Sequence, residues 1–243
     1  MKFQVISPVA DVYGAPDTRP LRGKFETQLV LGEIFIGVEE KKGWCKGACA
    51  HDGYAGYVET RHLAKSLAPA THIVTAARSH AYRDATIKSQ HIGMLSFGSL
   101  VTITASDRGW AQMDGGAWLY PRHLAPVDTA DTDYIATARK FLETPYYWGG
   151  RSGFGIDCSG LVQVSLARAG IRAPRDTEMQ KDALGAAADT TKAGDIVFFP
   201  GHVGLMVDER HLIHANAFHM KVVIEPVGDV ISRSEGITSI RRL

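Results

Sequence analysis

At 243 residues, 45% hydrophobic and 22% charged, the chain has the apolar content for two or three modest domains and carries no low-complexity tract. Twenty-seven Lys and Arg against 26 Asp and Glu leave a formal charge of +1 with no basic stripe interleaved with aromatics, which argues against a nucleic-acid partner. No run reaches the ~18 apolar residues of a membrane span, three cysteines are too few and too odd for a disulfide framework, and the opening MKFQVISPVADVYGAP, broken by Ser7, Pro8 and Asp11, is a poor signal peptide, so a cytoplasmic location is expected.

The first half repeats itself. Gly32 to Gly37 matches Gly98 to Ile103, and Gly43-Trp44 matches Gly109-Trp110, at an offset of 66 (32 to 98, 44 to 110). Tyr57-Val58 and Arg61-His62-Leu63 match Trp118-Leu119 and Arg122-His123-Leu124 at an offset of 61 (57 to 118, 61 to 122). Short β-branched and aromatic runs broken by turn residues predict a small all-β barrel for each copy, over 1–67 and 68–128. His62 and His123 hold equivalent places and read as local packing residues. Cys45, Cys49 and His51 fall short of the four ligands of a structural zinc site and read as ordinary barrel residues, so no metal is expected.

From about Thr132 the period changes, and residues 129–243 form a different domain. Ile135, Ala138, Phe141 and Leu142 predict a helix that ends before Pro145. A Gly-rich aromatic loop, Tyr146 to Gly155, then runs into Asp157-Cys158-Ser159-Gly160. Leu161, Val162, Ser165, Leu166 and Ala169 carry helical spacing, with Asp157 a good N-cap and Gly170 placed to stop the helix. Cys158 therefore falls in the first turn, where free backbone N–H groups and the helix dipole favour a thiolate.

Thr177-Glu178-Met179-Gln180 resembles a capping box opening a short helix. Strands are predicted at Ile196–Phe199, His202–Val207, His211–Ala215, Met220–Glu225 and Ile237–Arg241, which makes the domain α+β. A hairpin centred on residue 208 sets His202 opposite His214, or one position away for a two-residue loop, within side-chain reach on one face. A Cys nucleophile needs a base, and the base needs an orienting partner. Cys158, His202 and His214 supply that set in a papain-like arrangement. His51, His72, His80, His91, His211 and His219 show no such relation and read as surface residues.

At these residues the sequence resembles the NlpC family of bacterial cell-wall cysteine peptidases, from about Thr132 to Leu243. The similar blocks are Pro145 to Gly150, Asp157 to Leu161, Pro174 to Thr177, Gly194 to Phe199, His202 to Gly204 and Ile213 to Ala215. The paired N-terminal copies resemble bacterial SH3-like domains, as in the YkfC-like branch. The resemblance implies an α+β papain-like domain behind two SH3-like barrels. It also implies hydrolysis of the bond between D-Glu γ-carboxyl and a diamino acid, diaminopimelate or Lys, in peptidoglycan stem peptides released for recycling.

Carried over, Cys158 is the nucleophile, His202 the base and then acid, His214 the orienting member, and Tyr146 with the Cys158 N–H the oxyanion site. Trp148, Asp157, Ser159, Arg175, Asp176 and Thr177 would line the substrate groove. In that branch the first barrel closes one end of the groove and recognises the free L-Ala amine; Glu26 and Tyr54, with Tyr57 as the alternative to Tyr54, are the matching residues. No organic cofactor is implied, and the partner is a peptidoglycan-derived peptide; the sequence does not fix an oligomeric state. Two other readings stay open: a cysteine amidase or acyltransferase on another substrate, and a non-catalytic wall-peptide-binding protein.

Overall fold

The computed structural model describes residues 1–16 and 25–243. The chain divides into two compact units, Met1–Thr129 with Ser152–Phe154, and Ala130–Arg151 with Gly155–Leu243.

In the first unit the alternation of buried and solvent-facing residues builds short strands, as in Val9–Tyr13, where Ala10 and Val12 point inward. One sheet has seven strands, in the order Phe25–Val30, Val9–Tyr13, Ala55–Glu59, Trp44–Cys49, Ile34–Lys41, Lys2–Val5 and Leu63–Ala64. Phe3, Val5, Val12, Leu29, Phe35 and Val58 fill its core together with Cys45 and Cys49. The second copy divides its strands between a five-stranded and a three-stranded sheet, packed on Val74, Leu95, Val101 and Leu119.

The repeat read from the sequence is a repeat of backbone devices. Lys42-Gly43 and Arg108-Gly109 turn the equivalent hairpins, all four residues at positive φ, the pattern of a two-residue primed turn. Irregularities in pairing fall between Gly37 and Glu39 and between Ile103 and Ala105, again at equivalent places. Short 3₁₀ turns follow at Thr60–His62 and Pro121–His123. The closing histidines do the same job in each copy: His62 Nδ1 meets Ser7 Oγ at 2.7 Å and His123 Nδ1 meets Ser79 Oγ at 3.0 Å. Burial lowers the pKa of both rings.

The second unit has a six-stranded antiparallel sheet in the order Ala186–Ala187, Ser239–Arg242, Ile196–Phe199, His202–Met206, His211–Asn216 and Lys221–Pro226. Its helices are α1 (Tyr134–Arg139), α2 (Cys158–Arg168), α3 (Thr177–Ala183) and α4 (Val227–Ser232). Helix α2 packs on the strands His202–Met206 and His211–Asn216. It is buried from Cys158 through Leu166 on every side, not along one stripe, because it is the central element of the unit. Gly170, at φ +79°, stops it: Gly170 N–H bonds to Ala167 O and Ile171 N–H to Leu166 O, closing a Schellman motif.

Two local expectations are corrected. The cap of α3 is Asp176, not Thr177, and Gln180 donates to Ser159 O and Pro174 O, each at 2.9 Å, so no capping box forms. Helix α4 was not anticipated, since its Gly228 and β-branched residues are weak helix formers. Burial of Val230 and a bond from Val227 N–H to Arg210 O hold it in place.

The repeat supplies a matched pair for testing its packing. Gly32 and Gly98 both sit near φ +84°, where an L side chain costs ~1–2 kcal/mol. A Cβ on Gly32 would lie 2.3 Å from Leu100 O, whereas one on Gly98 would find only Val30 Cγ2 at 3.7 Å. Gly98→Ala is expected to lose ~1 kcal/mol and Gly32→Ala at least ~2 kcal/mol in denaturant unfolding of the full chain. Equal losses would show that the Leu100 approach is not a constraint.

Candidate active site

Cys158 is the first residue of α2, and the turn before it is locked by the carboxylate of Asp157. One Asp157 oxygen accepts Gly160 N–H at 2.7 Å and the other accepts Gly149 N–H at 2.8 Å, so the helix start and the aromatic loop share an anchor. The Arg175 guanidinium, 2% exposed, closes on both Asp157 oxygens at 3.0 and 2.6 Å and donates to Ser159 Oγ at 2.8 Å. Tyr146 bridges to Ile156 on the same loop. Burial first, then the Cys158 and Asp157 charges, push its phenol above the ordinary range, so it stays a proton donor beside the sulfur.

The sulfur of Cys158 lies 3.9 Å from Thr177 Oγ1. Burial, followed by the Asp157 charge, pushes the thiol up to about 11, against backbone N–H bonds from Val203 and Ser159 and the Thr177 hydroxyl. The anion expected from the helix terminus is thus not the resting form. Raising the thiol from 9.0 to about 11 works against the anion by roughly 3 kcal/mol, and a helix terminus returns only ~0.3–1 kcal/mol.

Val203, whose N–H reaches the sulfur, adjoins His202. From His202 a line of polar groups crosses three neighbouring strands. His202 Nε2 meets His214 Nδ1 at 2.7 Å, and His214 Nε2 meets Glu225 Oε1 at 2.7 Å. His214 is fully buried. Burial lowers the pKa of both imidazoles, so at neutral pH each ring is uncharged. Burial works to raise the Glu225 carboxyl, but hydrogen bonds from Arg233, His214 and His219 overcome it and hold it at about 2.

The hairpin register differs from expectation. Leu205 pairs with Ile213 and Met206 with Leu212, so the turn centres on residue 209. Asp208 is the reason, since its Oδ1 accepts the N–H groups of Arg210 and His211 and tightens the turn there. His214 therefore stands across from Gly204, and the two imidazoles meet on the diagonal. A Cβ on Gly204 would sit 2.8 Å from Leu212 Cγ and 3.0 Å from His214 Cβ, so the missing side chain makes room for that diagonal.

With the geometry in hand, similarity to known proteins becomes specific. A family model described as NlpC/P60 matches residues 143–240, and one described as a bacterial dipeptidyl-peptidase SH3 domain matches residues 18–63. Residues 143–240 are an NlpC/P60 domain. The chain is similar to a gamma-D-glutamyl-L-lysine dipeptidyl-peptidase of Bacillus subtilis strain 168, at 26% identity over 100% of this chain and 99% of the relative. It is also similar to dipeptidyl-peptidase 6 of Lysinibacillus sphaericus, at 26% identity over 89% and 88% of the two chains. A crystal structure of an NlpC/P60 family protein from Bacillus cereus superposes with a TM-score of 0.83 at 24% identity, covering 100% of this chain and 99% of that one. That likeness concerns the fold: an NlpC/P60 fold with an SH3 domain. The match over residues 143–240 supports a peptidase.

Within the second unit Thr177 Oγ1 and the Val203 N–H reach the Cys158 sulfur, Tyr146 stands on the preceding loop, and His202, next to Val203 in the chain, is bonded to His214. Trp148, 69% exposed, and Asp176 stand on the surface of the same unit. Asp157, Ser159 and Arg175, expected along the groove, are instead buried and bonded to one another. Their polar atoms hold the loop and the helix start together. Glu26 and Tyr54 belong to the first unit, where Glu26 lies beside Gly14 and Tyr54 packs on the barrel core. Tyr57 lines a cavity there of about 590 Å³ with Trp44 and Lys46. His219 is exposed, as expected, and reaches Glu225 Oε2 at 3.3 Å.

The Gly204 gap gives a direct probe of this geometry. Gly204→Ala is expected to lower kcat by ~10²-fold, because a displacement near 1 Å at a reacting group has that effect. It should leave the far-UV spectrum unchanged. Unaltered turnover would mean that the diagonal tolerates a wider strand separation.

Proposed function

We propose that this protein is a cysteine peptidase that cuts the γ-D-glutamyl-L-diamino acid bond of peptidoglycan stem peptides whose N-terminal L-Ala amine is free. Cutting after D-Glu in such a peptide releases an N-terminal dipeptide, which agrees with the dipeptidyl-peptidase names of the similar proteins. The diamino acid is Lys or diaminopimelate. In the intact wall that amine is tied up in an amide, so a free-amine substrate is a peptide already detached from its glycan, as in recycling. The observation that carries the chemistry is the unbroken polar line from the sulfur side of His202 through His214 to Glu225.

In this reading His202 Nδ1, whose other nitrogen is committed to His214, takes the Cys158 proton as the sulfur attacks the γ-carbonyl carbon of D-Glu. The oxyanion that forms is held by the Cys158 backbone N–H and the Tyr146 phenol. His202 then returns the proton to the leaving amine of the diamino acid, and a γ-glutamyl thioester remains on Cys158. Water attacks this thioester with its proton going to His202, and the dipeptide leaves as the thiol is restored.

We also read residues 1–67 and 68–128 as two SH3-like barrels and residues 129–243 as an α+β papain-like domain. The duplicated primed turns, bulges and 3₁₀ turns support the first part. The central α2 against an antiparallel sheet supports the second.

Digestion of L-Ala-γ-D-Glu-L-Lys and of its diaminopimelate counterpart, read by mass, tests the reaction. Wild-type protein should release L-Ala-D-Glu, and Cys158→Ala should be slower by ~10⁴-fold or more. Equal rates would end the proposal. N-acetylation of the L-Ala should slow cleavage by ~10²-fold, the scale of a lost charge-assisted contact; a blocked peptide cut as fast as the free one would remove the free-amine requirement.

A further inference from the structure

We propose that Glu225 is a positioning residue for the reaction: acting through His214, it dictates that His202 presents a proton-free Nδ1 to Cys158. The inference rests on the reading of Cys158 as nucleophile and His202 as base, and adds a member outside that triad.

A chain of two imidazoles has two consistent proton arrangements. In one, each ring carries its proton on Nε2; in the other, each carries it on Nδ1. Only the first leaves His202 able to accept from the thiol, since His202 Nε2 is the atom joined to His214 Nδ1. Whichever group fixes the far end at His214 Nε2 therefore fixes the near end.

Two groups compete for that atom. Glu225 Oε1 lies 2.7 Å away and can only accept; Asn216 Nδ2 lies 2.9 Å away and can only donate, because Asn216 Oδ1 is taken by the His219 N–H at 2.7 Å. Asn216 alone would select the inactive arrangement. Glu225 prevails because an ionised acceptor makes a bond roughly twice as strong as a neutral one, and a bare nitrogen facing a carboxylate would be repelled. Its charge is secured on the outside. Arg233 grips both oxygens, at 2.9 Å on Oε2 and through a further close bond on Oε1, and His219 Nε2 adds a contact to Oε2. Arg233 is in turn stacked over the exposed ring of Phe218, 4.7 Å from its centroid.

Replacing Glu225 by Gln leaves one acceptor oxygen where Arg233 and His214 both need one. If Arg233 takes it, the amide NH₂ faces His214 Nε2 and drives the protons to Nδ1 on both rings. His202 then aims an N–H at the sulfur.

Two-bond ¹H–¹⁵N correlation of full-length protein labelled with ¹⁵N-histidine reads the tautomers directly. At pH 7.5 or thereabouts, wild-type His202 and His214 should both show protonated Nε2 and bare Nδ1. A wild-type spectrum with the His214 proton on Nδ1 would overturn the inference with no variant needed. Glu225→Gln should show the Nδ1–H form of His214, with kcat lower by ~10²-fold at nearly constant KM. Alkylation of Cys158 by iodoacetamide should slow in parallel. A Glu225→Gln protein that keeps both tautomers and the wild-type alkylation rate would also refute it. Because spectrum and alkylation need no peptide, a wild type that shows the expected tautomers yet leaves the stem peptide intact would refute the substrate proposal alone.

Discussion

The hydrogen bond between His202 and His214 is the constraint around which the second unit is arranged. It joins the half-buried ring of His202 to the fully buried ring of His214 on neighbouring strands, 2.7 Å apart and out of direct register. A direct cross-strand pair would have asked nothing of the residues between. The diagonal needs a strand position without a side chain, and Gly204 is that position. It also needs the turn to close one residue later than the simplest hairpin, and the Asp208 side chain does so by accepting two backbone N–H groups. Turn chemistry, a missing Cβ and the line of imidazoles are thus one piece of geometry.

The buried Asp157–Arg175 pair plays the corresponding part for the sulfur. Removing one partner from such a pair leaves an uncompensated charge, typically at a cost of about 3–5 kcal/mol, so the loop, the start of α2 and the segment before α3 are tied to a common fate. Each oxygen of Asp157 has at least two donors, which is what an ionised side chain at 7% exposure requires. The turn that carries the sulfur is held in place by this buried ion pair.

Much of this was legible in the sequence because it is carried by local patterns. Asp157 capping α2, Gly170 ending it and the strands around His202 and His214 all follow from residue type and spacing. The duplicated Gly-Trp and Arg-His-Leu signals marked real duplicated turns. What escaped depends on partners distant in the chain. Nothing local to the sequence shows that Arg175 is bound to Asp157; only the fold does. Glu225 ends a predicted strand and reads as a polar terminus; the signal that would have marked it is the strand period, which puts it two positions from the residue facing His214. Helix α4 was invisible because its propensity is poor and its stability comes from packing.

The charge state at rest gives the arrangement its logic. The Cys158 thiol, pushed up to about 11, and the imidazoles, lowered by burial, are all neutral at rest, so in the proposed reaction the proton moves during attack and not before it. The imidazolium that forms on His202 is then the new positive charge, and the sulfur does not compensate it, because it is already bonded to carbon in the tetrahedral adduct. His214 accepts from it through Nδ1, and behind His214 stands a carboxylate already ionised and already satisfied by Arg233. That carboxylate favours positive charge on His202 across one intervening ring, while Arg233 opposes it. Burial first, then His214 and Arg233, keep the ring neutral at rest against the pull of Glu225, and a base that starts neutral can take a proton and return it to a leaving amine.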